Sequence, residues 1–159
     1  MSSVEFRRAC GAFATGIAIA TVTGRDGKPH GLTVNSFTSV SLHPPLVLIC
    51  IAHKAATHGP FASAESFAIN ILHQGQEYLS AHFASSHPNR FEDVTWSTGA
   101  GGAPVLAESL AVLECLTKKR IEAGDHTIFI GEVRHAICPD PATDGGPLMY
   151  FRGGYAKLS

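Results

Sequence analysis

The spacing of apolar residues changes several times along the chain, and each change marks an element. Between Val4 and Ala14, Phe6, Cys10 and Phe13 recur at helical intervals among Glu5, Arg7 and Arg8, which predicts a short opening helix that stops at Thr15-Gly16. Ile17 to Thr23 predicts a strand, closed by the turn sequence Gly24-Arg-Asp-Gly27. Gly31 to Asn35 and Phe37 to Ser41 read as short strands or strand-like loops. Leu46 to Ala52 is apolar throughout and predicts a strand buried on both faces. Thr57 reads as the N-cap of a helix running to about Ala64, with Pro60 tolerated in its first turn. Phe67 to Leu72 predicts a strand. Gly75 to Ala84 predicts a helix with Tyr78, Leu79, His82 and Phe83 on one face. Residues 89–102 are irregular and Gly-rich. Ala111 to Ile121 and His126 to Ile137 are two long strands joined by Glu122-Ala-Gly-Asp125 as a hairpin. Pro147 to Phe151 is a last strand, after which Arg152 to Tyr155 turns toward the end.

Strand follows strand without regular alternation with helices. The expected fold is therefore mainly β, an antiparallel barrel with a few short peripheral helices, in one domain over residues 1–159. No repeat and no linker interrupts it. Composition narrows the setting. The chain is 45% hydrophobic and only 16% charged, so the core is well filled and the surface poor in charge, a balance compatible with an oligomer. A net charge of −1 and the single basic run Lys118-Lys119-Arg120 leave no nucleic-acid footprint. The run reads as a solvated strand end. Cys10, Cys50, Cys115 and Cys138 form no C-x-x-C pair, and Cys50 and Cys115 read as small core hydrophobes. The nine histidines show neither H-E-x-x-H nor an i, i+4 pair, so no metal site is expected. With no long apolar span and no secretory signal, the expectation is no membrane contact and a reducing, cytoplasmic setting.

One segment conflicts with the barrel core. Gly31 to Ser41 carries Thr33, Ser36, Thr38, Ser39, Ser41 and Asn35, five hydroxyls and an amide in eleven residues where a buried strand pair normally holds Val and Ile. Two readings stand. The block lines a site for a flat ligand with a polar edge, or it is a polar loop whose side chains bond their own backbone. A dinucleotide site of the βαβ type is excluded: Gly99-Ala-Gly-Gly-Ala-Pro104 fails the G-x-G-x-x-G spacing, and no phosphate-binding G-x-x-x-x-G-K-[ST] is present.

Six fragments in order resemble the flavin reductase family, the small split-barrel FMN-binding reductases that serve two-component monooxygenases. They are Phe13 to Ile17, the block Gly31 to Pro45, Phe67 to Leu72, Asn89-Arg90-Phe91 where the family often has Asp-Arg-Phe, Gly124-Asp125-His126, and Pro147 to Tyr155. The resemblance implies a split β-barrel of the FMN-binding type and an NAD(P)H:flavin oxidoreductase. Such an enzyme passes a hydride from NADH or NADPH to FMN, with FAD possible, and supplies reduced flavin to a partner monooxygenase. It implies a homodimer with each flavin near the subunit boundary. Flavin-contacting residues are expected at Thr33, Val34, Asn35, Ser36, Ser39, Val40 and Ser41. Lys54, Thr57 and Arg90 are expected toward the phosphate, and Phe91 and Tyr155 are candidate walls for the stacked rings. Ala55 departs from the family, which often has Ser there, and removes one phosphate hydrogen bond. In the family the histidine matching His126 lies by the flavin and helps place the nicotinamide; Asp125 orients its ring or shapes the turn. These two are the candidate catalytic residues. Three rivals remain: a non-catalytic flavin carrier or sensor on the same fold, a split-barrel enzyme using a tetrapyrrole or deazaflavin, and a structural dimer without ligand.

Overall fold

The structure, a computed structural model, describes residues 1–140 and 145–158. Helix α1 (Ser3–Gly11) opens on a capping box: Ser2 Oγ accepts from the Glu5 amide at 3.1 Å, and Glu5 Oε2 accepts from the Ser2 amide at 2.7 Å. None of its residues is buried. The helix ends at Gly11, short of the Ala14 that the spacing predicted, so Phe13 lies beyond it, and Phe6 and Phe13 both face solvent, 54% and 78% exposed.

Twelve strands follow among the described residues, seven of them in one sheet. These are β2 (Ala18–Thr23), β3 (Pro29–Val34), β4 (Thr38–Ser41), β5 (Leu46–Ala52), β6 (Ser66–Ile71), β9 (Ala111–Ala123) and β10 (His126–Ile137). They lie in the order β3-β2-β6-β9-β10-β5-β4, with every neighbour antiparallel. β3 and β4 are thus opposite edges, although only Asn35, Ser36 and Phe37 separate them. A flat sheet of this width would hold its edges about 29 Å apart, while the chain from Val34 to Thr38 reaches about 14 Å at most. The sheet therefore curls until its edges approach, which turns the antiparallel barrel expected from the strand pattern into the split barrel that the family resemblance implied. At the seam Ser36 takes the place of a ladder partner. Its Oγ accepts from the Cys50 amide at 2.9 Å and donates to the Cys50 carbonyl at 3.2 Å.

The barrel interior is filled by Ala18, Ala20, Val22, Val47, Ile49, Ile51, Phe61, Phe67, Ile69 and Phe129. Gly131 is needed there, because a Cβ on it would lie 2.6 Å from the Phe67 ring and 2.7 Å from Cys115 Cβ. Cys115 is buried as expected; desolvation first, then the charge of Glu114, pushes its thiol up to about 12. β5 corrects the expectation of two buried faces. Only Val47, Ile49 and Ile51 point into the core, while Leu46, Leu48 and Cys50 remain half-buried on the outer face. β2 is the strand covered on both sides. Ile17 and Ile19 at its start pack outward under α3 (Glu77–Ala84) with Leu79 and Phe83. Tyr78, assigned to the same helix face, is instead 67% exposed.

Four smaller strands were not anticipated. β7 (Trp96–Thr98) lies within the stretch read as irregular and pairs with β8 (Pro104–Leu106) just beyond it. Fully buried Asn70 anchors them: its Nδ2 donates to the Ile19 carbonyl at 3.0 Å and its Oδ1 accepts from the Leu106 amide at 2.9 Å. β1 (Thr15–Gly16) and β12 (Gly154–Ala156) flank β11 (Met149–Phe151). β12 arises because Arg152 and Gly153 both take positive φ, 50° and 79°, which closes a two-residue hairpin instead of letting the chain turn away.

Candidate active site

The candidate residues fall into three neighbouring groups around the seam and the tip of the β9–β10 hairpin.

The first is the hydroxyl-rich block. Thr33 Oγ1 donates to the Ser80 carbonyl at 2.6 Å, and Ser36 is held by Cys50. These two hydroxyls therefore build the scaffold, as in the reading of local side-chain-to-backbone bonding. Val34 is buried in the barrel, and Asn35 is exposed. Ser39 and Ser41 lie on edge strand β4 opposite Val47 and Leu46, and a register shift between them leaves Val40 bulged outward, 47% exposed. Tyr155 arrives from β12, its hydroxyl 2.9 Å from Ser80 Oγ, and shares with Thr33, Val34 and Asn35 a pocket of about 230 Å³.

The second group is the junction between the hairpin tip and the loop after β5. Gly124, with φ +63°, and Asp125 make a two-residue turn between Ala123 and His126. Asp125 Oδ1 accepts from His126 Nδ1 at 2.6 Å. In the neutral ring this leaves Nε2 as the acceptor nitrogen. The His126 hydrogen bond and charge hold the Asp125 carboxyl below the usual carboxylate range, and Lys54 adds to the effect. Lys54 is therefore close to the hairpin tip in electrostatic terms. The loop itself is tied to the hairpin: the His53 amide donates to the Asp125 carbonyl at 2.9 Å.

A further clasp on this junction was not read from the sequence. His53 Nε2 lies 2.6 Å from Glu122 Oε2. Glu122 Oε1 accepts from Thr127 Oγ1 at 2.9 Å, and Thr127 Oγ1 lies 2.8 Å from His58 Nε2. The chain His53–Glu122–Thr127–His58 thus brackets Lys54 and Thr57 and fixes them against the strand pair that carries His126. The Thr127 hydroxyl, and after it His53, lowers the Glu122 carboxyl. The only sequence signal was alternation: Glu122 and Thr127 are cross-strand partners.

The third group lines a cleft of about 760 Å³ that includes Gly31, Thr57, Arg90, Phe91 and Trp96. Helix α2 (His58–Ser63) is only six residues long, and Thr57 precedes it in helical backbone geometry without a side-chain capping bond. The expected N-cap bond is thus missing. Thr57 is 6% exposed and its hydroxyl has no partner among the described residues. A buried hydroxyl in that state awaits a ligand or leaves a real energetic cost. Arg90 Nη1 donates to the Gly31 carbonyl at 2.9 Å, which pins the guanidinium at the entrance of the hydroxyl block. Partial burial lowers its pKa from the ordinary value, and the group stays cationic. Phe91 is 7% exposed and edge-on to Phe83 at 5.0 Å and Trp96 at 5.6 Å, so it belongs to the outer core as well as to the cleft wall. Ala55 packs against the barrel core.

Residues 10–159 match the family model of the flavin reductase like domain. Over 156 residues the chain is 46% identical to an NADH-dependent FAD reductase of Streptomyces globisporus, spanning 95% of this chain and 82% of that protein. It is 42% identical over 158 residues to an NADH-dependent FMN reductase of Agrobacterium fabrum, spanning 99% and 87%. The structure of the Streptomyces globisporus NADH:FAD oxidoreductase in complex with NAD and FAD fragments superposes with a TM-score of 0.91 at 41% identity, over 98% of this chain and 92% of that one. Other relatives are named as reductase components of monooxygenases. The chain spans about half the length of some of the curated relatives it matches.

Proposed function

The chain belongs to the flavin reductase like family, and on that footing we propose that it takes a hydride from NADH to a flavin nucleotide and serves a flavin-dependent monooxygenase. The observation that carries the nucleotide half is the unpartnered, buried Thr57 hydroxyl in one cleft with Arg90. A phosphate oxygen satisfies that hydroxyl, and Arg90 supplies the charge. Lys54, three residues before Thr57, brings a cation to this loop, and its charge adds to the His126 hydrogen bond in lowering the Asp125 carboxyl. The small residues of the Thr33–Ser41 block leave the polar edge of a flat ring room to meet backbone groups.

A bound flavin supplies the hydride acceptor, and NADH the donor. The protein's contribution is placement. His126 stands at the hairpin tip, its ring orientation set by the Asp125 carboxylate, and offers Nε2 to the nicotinamide carboxamide. The His53–Glu122 clasp keeps that tip in register with Lys54 and Thr57. No proton transfer by His126 is required for hydride transfer itself.

The chain acts as a homodimer in this reading. Helix α1 exposes Val4 and Phe6, the following turn exposes Phe13, and the β4 edge exposes Val40 and Leu42, surface that a second subunit covers. No helix among the described residues is long and apolar enough to cross a membrane. Steady-state NADH oxidation tests the proposal: consumption that rises with added FMN or FAD supports it. Tight flavin binding without turnover on NADH or NADPH identifies a carrier instead. A monomer mass at micromolar concentration removes the dimer.

A further inference from the structure

The cleft beyond Thr57 is larger than a flavin phosphate needs. Its volume of about 760 Å³ falls in the range that holds a whole ligand of drug size, roughly 300–1,000 Å³. None of the ring-contacting candidates from Thr33 to Ser41 lines it, and neither do Lys54 and His126. Its lining joins Gly31, Ala56 and Thr57 to Lys28, His30, His87 and Trp96.

The chemistry of these walls is specific. Lys28 and Arg90 are cations, and His30 and His87 add ring nitrogens. Trp96 lines the same cleft, 37% exposed, with Phe91 edge-on to its ring at 5.6 Å. Glu92 is the carboxylate among the lining residues and is suited to accept from ribose hydroxyls. A phosphate anchor, a second cation in Lys28, a sugar acceptor and an exposed indole are together the groups that an adenosine diphosphate half requires.

We propose that this cleft is a subsite for the ADP half of FAD, with Trp96 stacking the adenine, so that the chain binds FAD in preference to FMN. The inference rests on the flavin reading above and adds to it which flavin nucleotide the site selects. Thr57 and Arg90 take the phosphate common to both cofactors; Lys28 and Trp96 meet only the part that FAD adds.

Equilibrium titration of flavin-free protein with FMN and FAD, followed by calorimetry, tests this directly. FAD is expected to bind about tenfold more tightly than FMN. Trp96→Leu is expected to bring the two together by weakening FAD alone, Trp96→Phe to restore the gap, and Lys28→Ala to narrow it. Trp96 is the single tryptophan of the chain, so quenching of its emission by ADP, which carries no flavin, gives a second readout. Equal affinity for FMN and FAD overturns the inference while leaving the flavin reading intact. So does a Trp96→Leu protein that loses FMN and FAD alike, or one that raises the KM for NADH and leaves FAD binding unchanged, which assigns the cleft to the nicotinamide dinucleotide. Failure to bind FMN, FAD and riboflavin alike refutes the flavin reading itself.

Discussion

The two sides of the candidate site use the same residue type in opposite ways. On the seam side, the Thr33 and Ser36 hydroxyls are already bonded to the Ser80 and Cys50 backbones. On the loop side, the Thr57 hydroxyl is buried with no partner, beside Arg90 in an open cleft. A threonine or serine in a barrel wall therefore has two uses: to replace a missing ladder bond where the sheet is split, or to wait for a ligand. Partnering, and not residue type, separates them. In the proposed reading the seam shapes the space for the ring, and the loop side takes the charged end of the nucleotide.

If that division holds, variants on the two sides fail differently. The largest expected effect is at Arg90. Arg90→Ala removes a charge-assisted contact of about 1.5–3 kcal/mol, a loss of roughly 10- to 150-fold in FMN affinity. Riboflavin, which lacks the phosphate, is unaffected; equal losses for FMN and riboflavin mean that Arg90 acts only by holding Gly31. At the hairpin, His126→Ala is expected to lower kcat/KM for NADH by about 10- to 100-fold. Flavin affinity stays near that of the parent, and unchanged turnover removes His126 from the nicotinamide site.

Ser36→Ala should do the reverse. It breaks both seam bonds at about 1 kcal/mol each, and Tm falls by roughly 4–8 °C for a domain of this size. Flavin affinity moves little. Thermal unfolding beside a flavin titration shows whether seam and loop separate in this way; a stable Ser36→Ala protein that has lost flavin moves Ser36 to the ligand side.

The smallest effect concerns the clasp. The carboxyls of Glu122 and Asp125 titrate lower in the folded chain than their ordinary values. What they contribute to holding the hairpin is thus fully present above about pH 5 and lost as the pH falls through their lower folded values. Protection of the hairpin-tip amides, taken relative to the intrinsic exchange rate at each pH, should fall over that acidic window in the parent. Glu122→Gln should exchange faster already at neutral pH and show a weaker acid dependence. An identical profile in both proteins removes Glu122 from the clasp.

Much of this was legible from residues alone. The long strands, the Gly124-Asp125 turn and the grouping of strands without helices all follow from local pattern. The burial of β5 did not, because an apolar run looks the same whether a helix or nothing within the chain covers its outer face. The β7–β8 pair was hidden because its anchor, Asn70, lies in another strand. The same holds for Ser36, whose role depends on Cys50 across the seam, and for His53 and His58, whose meaning depends on Glu122 and Thr127. Contacts across the fold decide these cases: alternation sets Glu122 opposite Thr127, but nothing in the periodicity brings His53 and His58 to them.

The claim that joins the two sides is that a hydride crosses from NADH to a flavin held between the seam and the hairpin. Anaerobic stopped-flow mixing of flavin-loaded protein with NADH measures that step alone. The account predicts rapid single-turnover bleaching of the flavin absorbance, slowed in His126→Ala at unchanged flavin occupancy. Flavin that stays oxidised in the fully loaded parent protein, with NADH and with NADPH, contradicts it.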